Sequence, residues 1–153
     1  TQLLKEIKRE IKKASDKDEK IAFRLNGTSD IDFLYLLNKN LDFDIELLTY
    51  DKVYFYDYTK SIARAKRYKD FRNYTLTFSK SETNDKEVKE ALNLGINVAA
   101  VFKDNLPQKY KGIKVIDGDK SDLEMINHKN IILGLKAKGD AKKDTTGFVI
   151  TNY

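Results

Sequence analysis

Hydrophobic and polar positions along the chain switch repeatedly between a helical and a strand-like spacing. At the N-terminus, apolar residues recur every three or four positions with Lys and Glu between them, which predicts an amphipathic surface helix within residues 1–20. Short apolar runs then alternate with further segments of helical spacing. The predicted strands are 21–25, 53–56, 74–78, 97–102, 113–116, 131–135 and 148–151. The later predicted helices are 31–41, 59–69, 84–94 (ended by Gly95) and 121–128.

Most of these strands are continuous apolar runs rather than half-buried alternations. This pattern predicts an α/β fold, with a mostly parallel sheet and alternating helices. The units are too few for a complete barrel, so a partial (β/α) barrel and an open α/β sheet both stay open. The connection at 103–112 is too short for a crossover helix and predicts a reduced crossover or a local antiparallel strand. No linker divides the chain, which predicts a single domain over 1–153, with 1–20 as N-terminal helix and connection.

Composition excludes several classes of function. The chain has no Cys, which excludes disulfides, thiolate metal sites, an Fe–S cluster ligated by this chain and Cys nucleophiles. A single His leaves Ser-His-Asp catalysis to His128 alone. No apolar run approaches the roughly 18 residues of a membrane span, and no secretory signal is visible. We therefore expect a cytoplasmic protein without a membrane partner.

Charge is segregated within this basic protein, whose net charge is +5. Residues 30–51 carry six acidic side chains and one Lys, whereas 60–72 carry six basic side chains and one Asp. Such segregation favours an anionic ligand or a nucleic acid, although the net positive charge of a Lys-rich protein is equally often a matter of composition alone.

Polar side chains follow the ends of most predicted strands, where parallel α/β folds place their ligand sites. The candidates for binding a nucleotide or another small phosphorylated ligand are Asn26, Ser29, Asp57, Lys60, Ser79, Lys136 and Lys138. In this interpretation the Lys residues neutralise phosphate, and Asp57 binds a sugar hydroxyl or a metal. If the protein is an enzyme, Asp30 or Glu82 is the candidate general base.

Two further sets of residues have both a functional and a structural interpretation. Asp117, Asp119 and Asp122 offer oxygen ligands for Mg²⁺ or Ca²⁺, although they do not form a complete EF-hand loop. The structural alternative for the strand ends is helix capping, with Thr28 to Asp30 as caps and Ser121 with Glu124 as a capping box.

Tyrosines are concentrated before a basic helix. Six of the nine lie between residues 50 and 74, and alternate positions place Tyr54, Tyr56 and Tyr58 on one strand face. Arg64 and Arg67 follow at helical spacing. Aromatic rings beside a basic stripe suit stacking on nucleic-acid bases. The alternative is that the tyrosines pack on the adjacent helix and the basic side chains are solvated.

Several longer strings resemble a known family. They lie at 24–31, 55–60, 73–82, 115–119, 134–139 and 146–149. Together they resemble, from about residue 24 to 149, a family spread through bacteriophages and plasmids, of the mycobacteriophage gene product 88 type. The resemblance implies a mobile-element protein in the cytoplasm of a host cell and carries no activity with it.

The same resemblance also bears on cofactors. Members of the family are similar in layout to the partial barrels of radical S-adenosylmethionine enzymes and carry an upstream Cys-containing segment. Because this chain has no Cys, the resemblance implies either a fragment of a longer protein or a shortened homologue that kept the scaffold. Three functions stay open: a phosphate-type ligand site, with or without Mg²⁺; an interaction protein that binds or inhibits a host macromolecule such as a defence system; and a nucleic-acid-binding protein.

Overall fold

The structure is a computed structural model that describes residues 2–39 and 51–153. Its helices are α1 (Gln2–Asp16), α2 (Phe33–Lys39), α3 (Ile62–Tyr68), α4 (Asp85–Asn93) and α5 (Glu124–Asn127), with a 3₁₀ helix at Gly139–Lys143. Its strands are β1 (Ile21–Arg24), β2 (Val53–Thr59), β3 (Tyr74–Ser79), β4 (Val98–Phe102), β5 (Lys109–Tyr110), β6 (Ile113–Asp117), β7 (Ile132–Lys136) and β8 (Val149–Ile150). Strand pairing is mostly parallel, which confirms the predicted α/β class. None of the described helices is long and apolar enough to cross a bilayer.

The chain forms two compact units, Thr1–Asp57 with Asp70–Thr75 and Tyr58–Lys69 with Leu76–Tyr153. A single domain stays a prediction, as does the choice between a partial barrel and an open sheet. In the first unit, β1 pairs with β2 in parallel, and Phe23 stacks on Phe55 at 5.4 Å between ring centroids. The predicted apolar stripe of α1 is confirmed, since Leu4 and Ile7 are buried.

Strand β2 is longer than the apolar run predicts. The run ends at Tyr56, but the strand continues to Thr59. Its buried face consists of Val53, Phe55, Asp57 and Thr59, and the tyrosines between them are half-buried. Asp57 therefore lies within the strand rather than after its end, because two polar residues at inward positions continue the strand.

In the second unit, β4 is the central strand. Strand β7 pairs with β4 along its whole length, from Val98 opposite Ile132 to Phe102 opposite Lys136. The other edge of β4 is shared, since β3 pairs with Val98 and Ala99 and β8 pairs with Val101 and Phe102. Strand β6 lies beside β7, and β5 pairs with β6 in antiparallel fashion, which confirms the local antiparallel strand. Phe78, Val98, Phe102 and Ile132 form the centre of the core of this unit.

Helix ends follow the predicted signals in one case and depart from them in another. Gly95 has a positive φ of 74° and follows the end of α4. Its N–H donates a hydrogen bond to the carbonyl of Leu92, and the N–H of Ile96 donates to the carbonyl of Ala91. The last predicted helix is much shorter than 121–128, and the capping box does not form. The Ser121 hydroxyl accepts from the N–H of Leu123, two residues on, so it closes a turn before the helix begins.

Helix α2 begins at Phe33 rather than at 31, and positions 40 and 41 of its prediction lie outside the described residues. Helix α3 is shorter than the predicted 59–69 at both ends. Asp32, rather than Thr28 to Asp30, caps α2, because its Oδ1 accepts the N–H of Tyr35 at 3.1 Å.

Candidate functional site

In the first unit, two predicted ligand residues form a buried pair. Asn26 is 2% exposed and Asp57 is 0% exposed. Oδ1 of Asp57 accepts the backbone N–H of Asn26 at 2.8 Å, and Oδ2 accepts its side-chain Nδ2 at 3.0 Å. The carboxylate therefore fixes both the backbone and the side chain of Asn26, the second residue after β1.

The Asn26 side chain in turn forms hydrogen bonds with other residues of the same loop. Its Oδ1 accepts from the Ser29 hydroxyl at 2.7 Å and from the N–H of Ile31 at 3.0 Å, and its Nδ2 also donates to the carbonyl of Ile31. The structure thus brings Asn26, Ser29 and Asp57 together, as predicted. However, the Asn26 side-chain amide donates two hydrogen bonds and accepts two within the protein itself, so the Asn26–Asp57 pair holds this loop in place.

In the second unit, Lys80 stands out because its ammonium group is buried. It directly follows β3, its backbone N–H donates to the carbonyl of Ala99, and its side chain is only 6% exposed. Nζ donates to the carbonyl oxygens of Ser81 at 3.0 Å and Gly147 at 3.5 Å. The carboxylate of Asp85 lies 3.7 Å away on a side chain that is 63% exposed. The position is the point where β3 leaves the edge of β4 and β8 begins.

The turn that presents Gly147 is itself fixed by a carboxylate. Asp144 accepts from the Thr146 hydroxyl at 2.7 Å and from the backbone N–H of Val149 at 3.0 Å. These hydrogen bonds, the hydroxyl first, lower the pKa of Asp144 below its ordinary range. The turn therefore holds a backbone carbonyl against the Lys80 ammonium.

The loop between β3 and α4 leaves the start of the helix without its expected cap. Asn84 is the N-cap of α4, but its side chain makes no hydrogen bond to the first turn. Instead its Oδ1 accepts the N–H of Ser81 at 2.7 Å, and its Nδ2 donates to the carbonyl of Ser79 at 2.9 Å. Ser79, a predicted ligand residue, is therefore bound through its backbone. The first turn carries Asp85 and Glu87, which complement the helix dipole.

The three aspartates predicted to hold a metal have different partners. Asp119 accepts from the backbone N–H of Lys136 at 2.8 Å and from Lys138 Nζ at 2.7 Å. Asp117 accepts the N–H of Asp119, whereas Asp122 accepts from the hydroxyl of Tyr58 at 3.2 Å. Within residues 2–39 and 51–153, no group of three or more His, Cys, Asp or Glu could hold a metal ion. In the structure these carboxylates bond to other parts of the chain, and a metal site at them stays a prediction.

Acid should weaken the connection made by Asp119. The hydrogen bond from Lys138 and the N–H of Lys136 hold the pKa of Asp119 below the ordinary 3.8, against an opposing effect of burial. A carboxyl group with a lowered pKa stabilises the fold above its ordinary pKa and loses that effect as the pH falls through its folded value. We expect Asp119→Asn to lower the free energy of unfolding by about 1 kcal/mol at neutral pH. At a pH far below 3.8 the loss should be much smaller, and urea unfolding followed by far-UV circular dichroism measures both values.

Asp140→Asn on the exposed 3₁₀ helix is the matched control, since it removes the same charge and should change stability by less than about 0.5 kcal/mol. If Asp119→Asn lowered the free energy of unfolding equally at both pH values, the carboxylate charge would contribute nothing to stability.

The tyrosine and arginine candidates are only partly arranged as predicted. Tyr54, Tyr56 and Tyr58 do share the half-buried face of β2. Arg64, however, is only 5% exposed, whereas Arg67 is exposed, with its guanidinium 5.9 Å from the ring centre of Tyr68. Arg64 is therefore not a solvated member of the basic stripe, whereas Arg67 is exposed, and nucleic-acid binding by this stripe stays a prediction.

The other candidates lie on exposed positions. Asp30 and Glu82, the predicted general bases, and Lys60, Lys136 and Lys138 are all exposed. The residue that sequence reasoning missed is Lys80. Its only sequence signal is a Lys placed directly after an apolar strand, within the polar string Ser79–Glu82.

The chain matches a known protein family along nearly its whole length. The family described as Gene product 88 matches residues 1–152. The chain therefore belongs to the Gene product 88 family, a phage gene-product family, which confirms the resemblance at the level of the family. No curated protein and no solved structure matches it. The radical S-adenosylmethionine layout stays a prediction.

Proposed function

We propose that this member of a phage gene-product family binds a small phosphate-bearing ligand of nucleotide type at the carboxyl end of β3. The observation that carries the proposal is the buried ammonium group of Lys80, whose hydrogen-bond acceptors are two backbone carbonyls. Both candidate architectures accommodate such a site, because open sheets and barrels alike bind ligands at the carboxyl ends of parallel strands.

The charge of Lys80 is only partly compensated by the protein. Burying a charge is costly unless a partner of opposite charge is well placed. Asp85 lies beyond hydrogen-bond distance at 3.7 Å, is mostly exposed, and also faces Lys111 at 3.5 Å. Two ammonium groups thus share one loosely placed carboxylate, and a phosphate group would supply the missing negative charge.

Neighbouring groups suit the same ligand. The first-turn N–H groups of α4 donate no hydrogen bond to the Asn84 side chain, and N–H groups at a helix N-terminus favour an anion. Asp85 opposes binding, because its carboxylate lies 3.7 Å from Lys80 Nζ and repels an anion. The ligand has to displace this carboxylate, and the proposal therefore predicts that removing its charge strengthens binding.

The proposal places the phosphate charge at Lys80 rather than at Lys136 and Lys138. Lys138 is already paired with Asp119 at 2.7 Å, and its side chain is 74% exposed. An exposed pair of this kind contributes little to binding energy. The buried Lys80 interacts more strongly with an anion because less solvent screens it.

Thermal unfolding with added ligand tests this site. The panel is inorganic phosphate, pyrophosphate, ADP, ATP and S-adenosylmethionine, each with and without Mg²⁺. A ligand present at 100 times its Kd stabilises the native state by about 2.7 kcal/mol, which gives a readily measured rise in Tm. We expect at least one phosphate-bearing compound to raise the Tm of the wild-type chain.

Four variants then locate the binding site. Lys80→Met should abolish the shift, Lys80→Arg should retain it, and Asp85→Asn should lower the Kd several-fold. Lys103→Met is the matched control, since Lys103 follows the neighbouring strand β4 and is exposed. If Lys80→Met is stabilised by the same compound as strongly as wild type, or if no phosphate-bearing compound stabilises wild type, the proposal fails.

A further inference from the structure

A groove runs between α4 and the turn that joins β5 to β6. Its floor is apolar and is formed by Val88, Leu92 and Ile113, the last two being only partly buried in the core of the second unit. Its volume is about 530 Å³. That volume lies within the range of clefts that enclose a small molecule or a few side chains. We call this feature the α4 groove.

The rim of the α4 groove is positively charged. Lys86, Lys89 and Lys111 line it, and all three are exposed. Among the described residues that line the groove, Asp85 is the one acidic residue, and it faces Lys111 at 3.5 Å. The α4 residue Glu90 instead pairs with Lys66 of α3 at 2.7 Å. The groove therefore combines an aliphatic floor with an excess of positive charge around it.

This combination decides between the possible occupants. Single-stranded nucleic acid would need aromatic rings on which bases stack, and the floor is aliphatic. A peptide that carries apolar side chains flanked by carboxylates satisfies both the floor and the rim. We propose that the α4 groove binds an acidic segment of a partner protein, which inserts apolar side chains over Leu92 and Ile113 while its carboxylates pair with the three lysines.

The inference does not depend on the ligand proposed for Lys80. It concerns the exposed side of α4, and its test changes Lys86, Lys89 and Leu92, none of which takes part in the proposed phosphate site. Asp85 borders both features, so it is left unchanged in the experiment.

Selection from an unbiased library tests the occupant. Short random peptides in mRNA display are selected on the immobilised full chain, and enriched sequences are measured by fluorescence anisotropy. We expect the enriched peptides to be acidic and to carry apolar residues. Lys86→Glu/Lys89→Glu should weaken their binding by about tenfold or more, because two attractive contacts become repulsive. Leu92→Gln should also weaken it by removing apolar contact from the floor.

Lys5→Glu/Lys8→Glu is the matched control, since these exposed lysines of α1 have the same spacing and undergo the same change of charge. It should leave peptide affinity unchanged. Circular dichroism confirms that each variant is folded.

Four results would overturn the inference, and three of them concern the enriched peptides. These three are a lack of acidic bias in the enriched peptides, equal affinity of those peptides for wild type and Lys86→Glu/Lys89→Glu, and their displacement by duplex DNA. The last result would assign the lysines to a general polyanion surface. Failure to enrich any peptide over the Lys86→Glu/Lys89→Glu chain would overturn it as well.

Discussion

Replacing Asp57 with Ala should lower the free energy of unfolding by about 3–5 kcal/mol. The carboxylate accepts both the backbone N–H and the side-chain Nδ2 of Asn26, and both residues are almost completely buried. Alanine would leave two buried donors without this acceptor, and each such loss costs about 1–3 kcal/mol. Because the chain has no Trp, urea unfolding followed by far-UV circular dichroism is the suitable measurement.

Two other substitutions separate the effect of the network from that of charge. Asp57→Asn keeps the shape and one acceptor oxygen, so it should lower the free energy of unfolding, but by less than Asp57→Ala does. Asp51→Ala removes a carboxylate that is 73% exposed and pairs with Arg72, and should cost less than about 1 kcal/mol. If Asp57→Ala costs no more than Asp51→Ala, the buried network does not stabilise the fold.

The loop after β1 supplies a local measure of the same prediction. Asn26 holds Ser29 and Ile31 only while its own side chain is oriented by Asp57. Amide hydrogen exchange at Asn26 and Ile31 should therefore accelerate in Asp57→Ala more than exchange in α1, whose hydrogen bonds are internal to the helix.

The period of apolar residues was sufficient to predict most elements, because burial on both faces of parallel strands leaves a strong local signal. The end of α4 was equally predictable, since only a residue that tolerates a positive φ suits the position of Gly95. The end of β2 was not. Asp57 and Thr59 occupy inward positions of the strand, and the hydrogen bonds that permit a buried carboxylate come from Asn26, which is distant in sequence.

Local capping signals were less informative than periodicity. Ser121 followed by Glu124 fits a capping box, but a serine hydroxyl can also bond the N–H two residues on. The structure takes this second option, with Ser121 accepting from Leu123, and α5 begins only at Glu124. Two local hydrogen-bond patterns of similar energy cannot be separated from sequence alone.

In the candidate site, the positions of residues could be predicted from sequence, whereas their hydrogen-bond partners could not. Strand order placed Asn26, Ser29 and Asp57 together correctly, but sequence does not indicate whether polar groups satisfy one another or face a ligand. Lys80 was missed because its burial depends on β8 and the Asp144 turn, which lie more than sixty residues further along the chain. A polar residue at a strand end is therefore a weak signal until its partners are known.

Asn97 is the second residue whose replacement should have a large effect. It is 3% exposed, and its Nδ2 donates to the carbonyls of Met125 at 2.9 Å and His128 at 2.7 Å. Its Oδ1 accepts the N–H of Ile131 at 3.3 Å. The side chain thus fixes the segment between α5 and β7. Asn97→Ala should lower the free energy of unfolding in urea by about 2–4 kcal/mol, because two buried polar groups and one partly buried carbonyl lose this partner.

Asn127→Ala provides the control, since Asn127 is an exposed residue of α5 and its loss should change stability by less than about 0.5 kcal/mol. A cost for Asn97→Ala that is no larger than this would mean that water replaces the side chain without penalty.

Asn97→Asp gives the sharpest form of this prediction, because it changes the donor to a carboxylate without changing the shape. At neutral pH the negative oxygen would face the carbonyl oxygens of Met125 and His128, so the variant should be less stable than Asn97→Ala. Burial among acceptors raises the pKa of the introduced carboxyl above the unfolded value of about 3.9. The protonated form, which again donates a hydrogen bond, is favoured as the pH falls towards that value. Unfolding measured from neutral pH to about pH 4 should therefore show Asn97→Asp gaining stability relative to Asn97→Ala, whereas a constant difference would mean that the introduced carboxyl does not face these carbonyls.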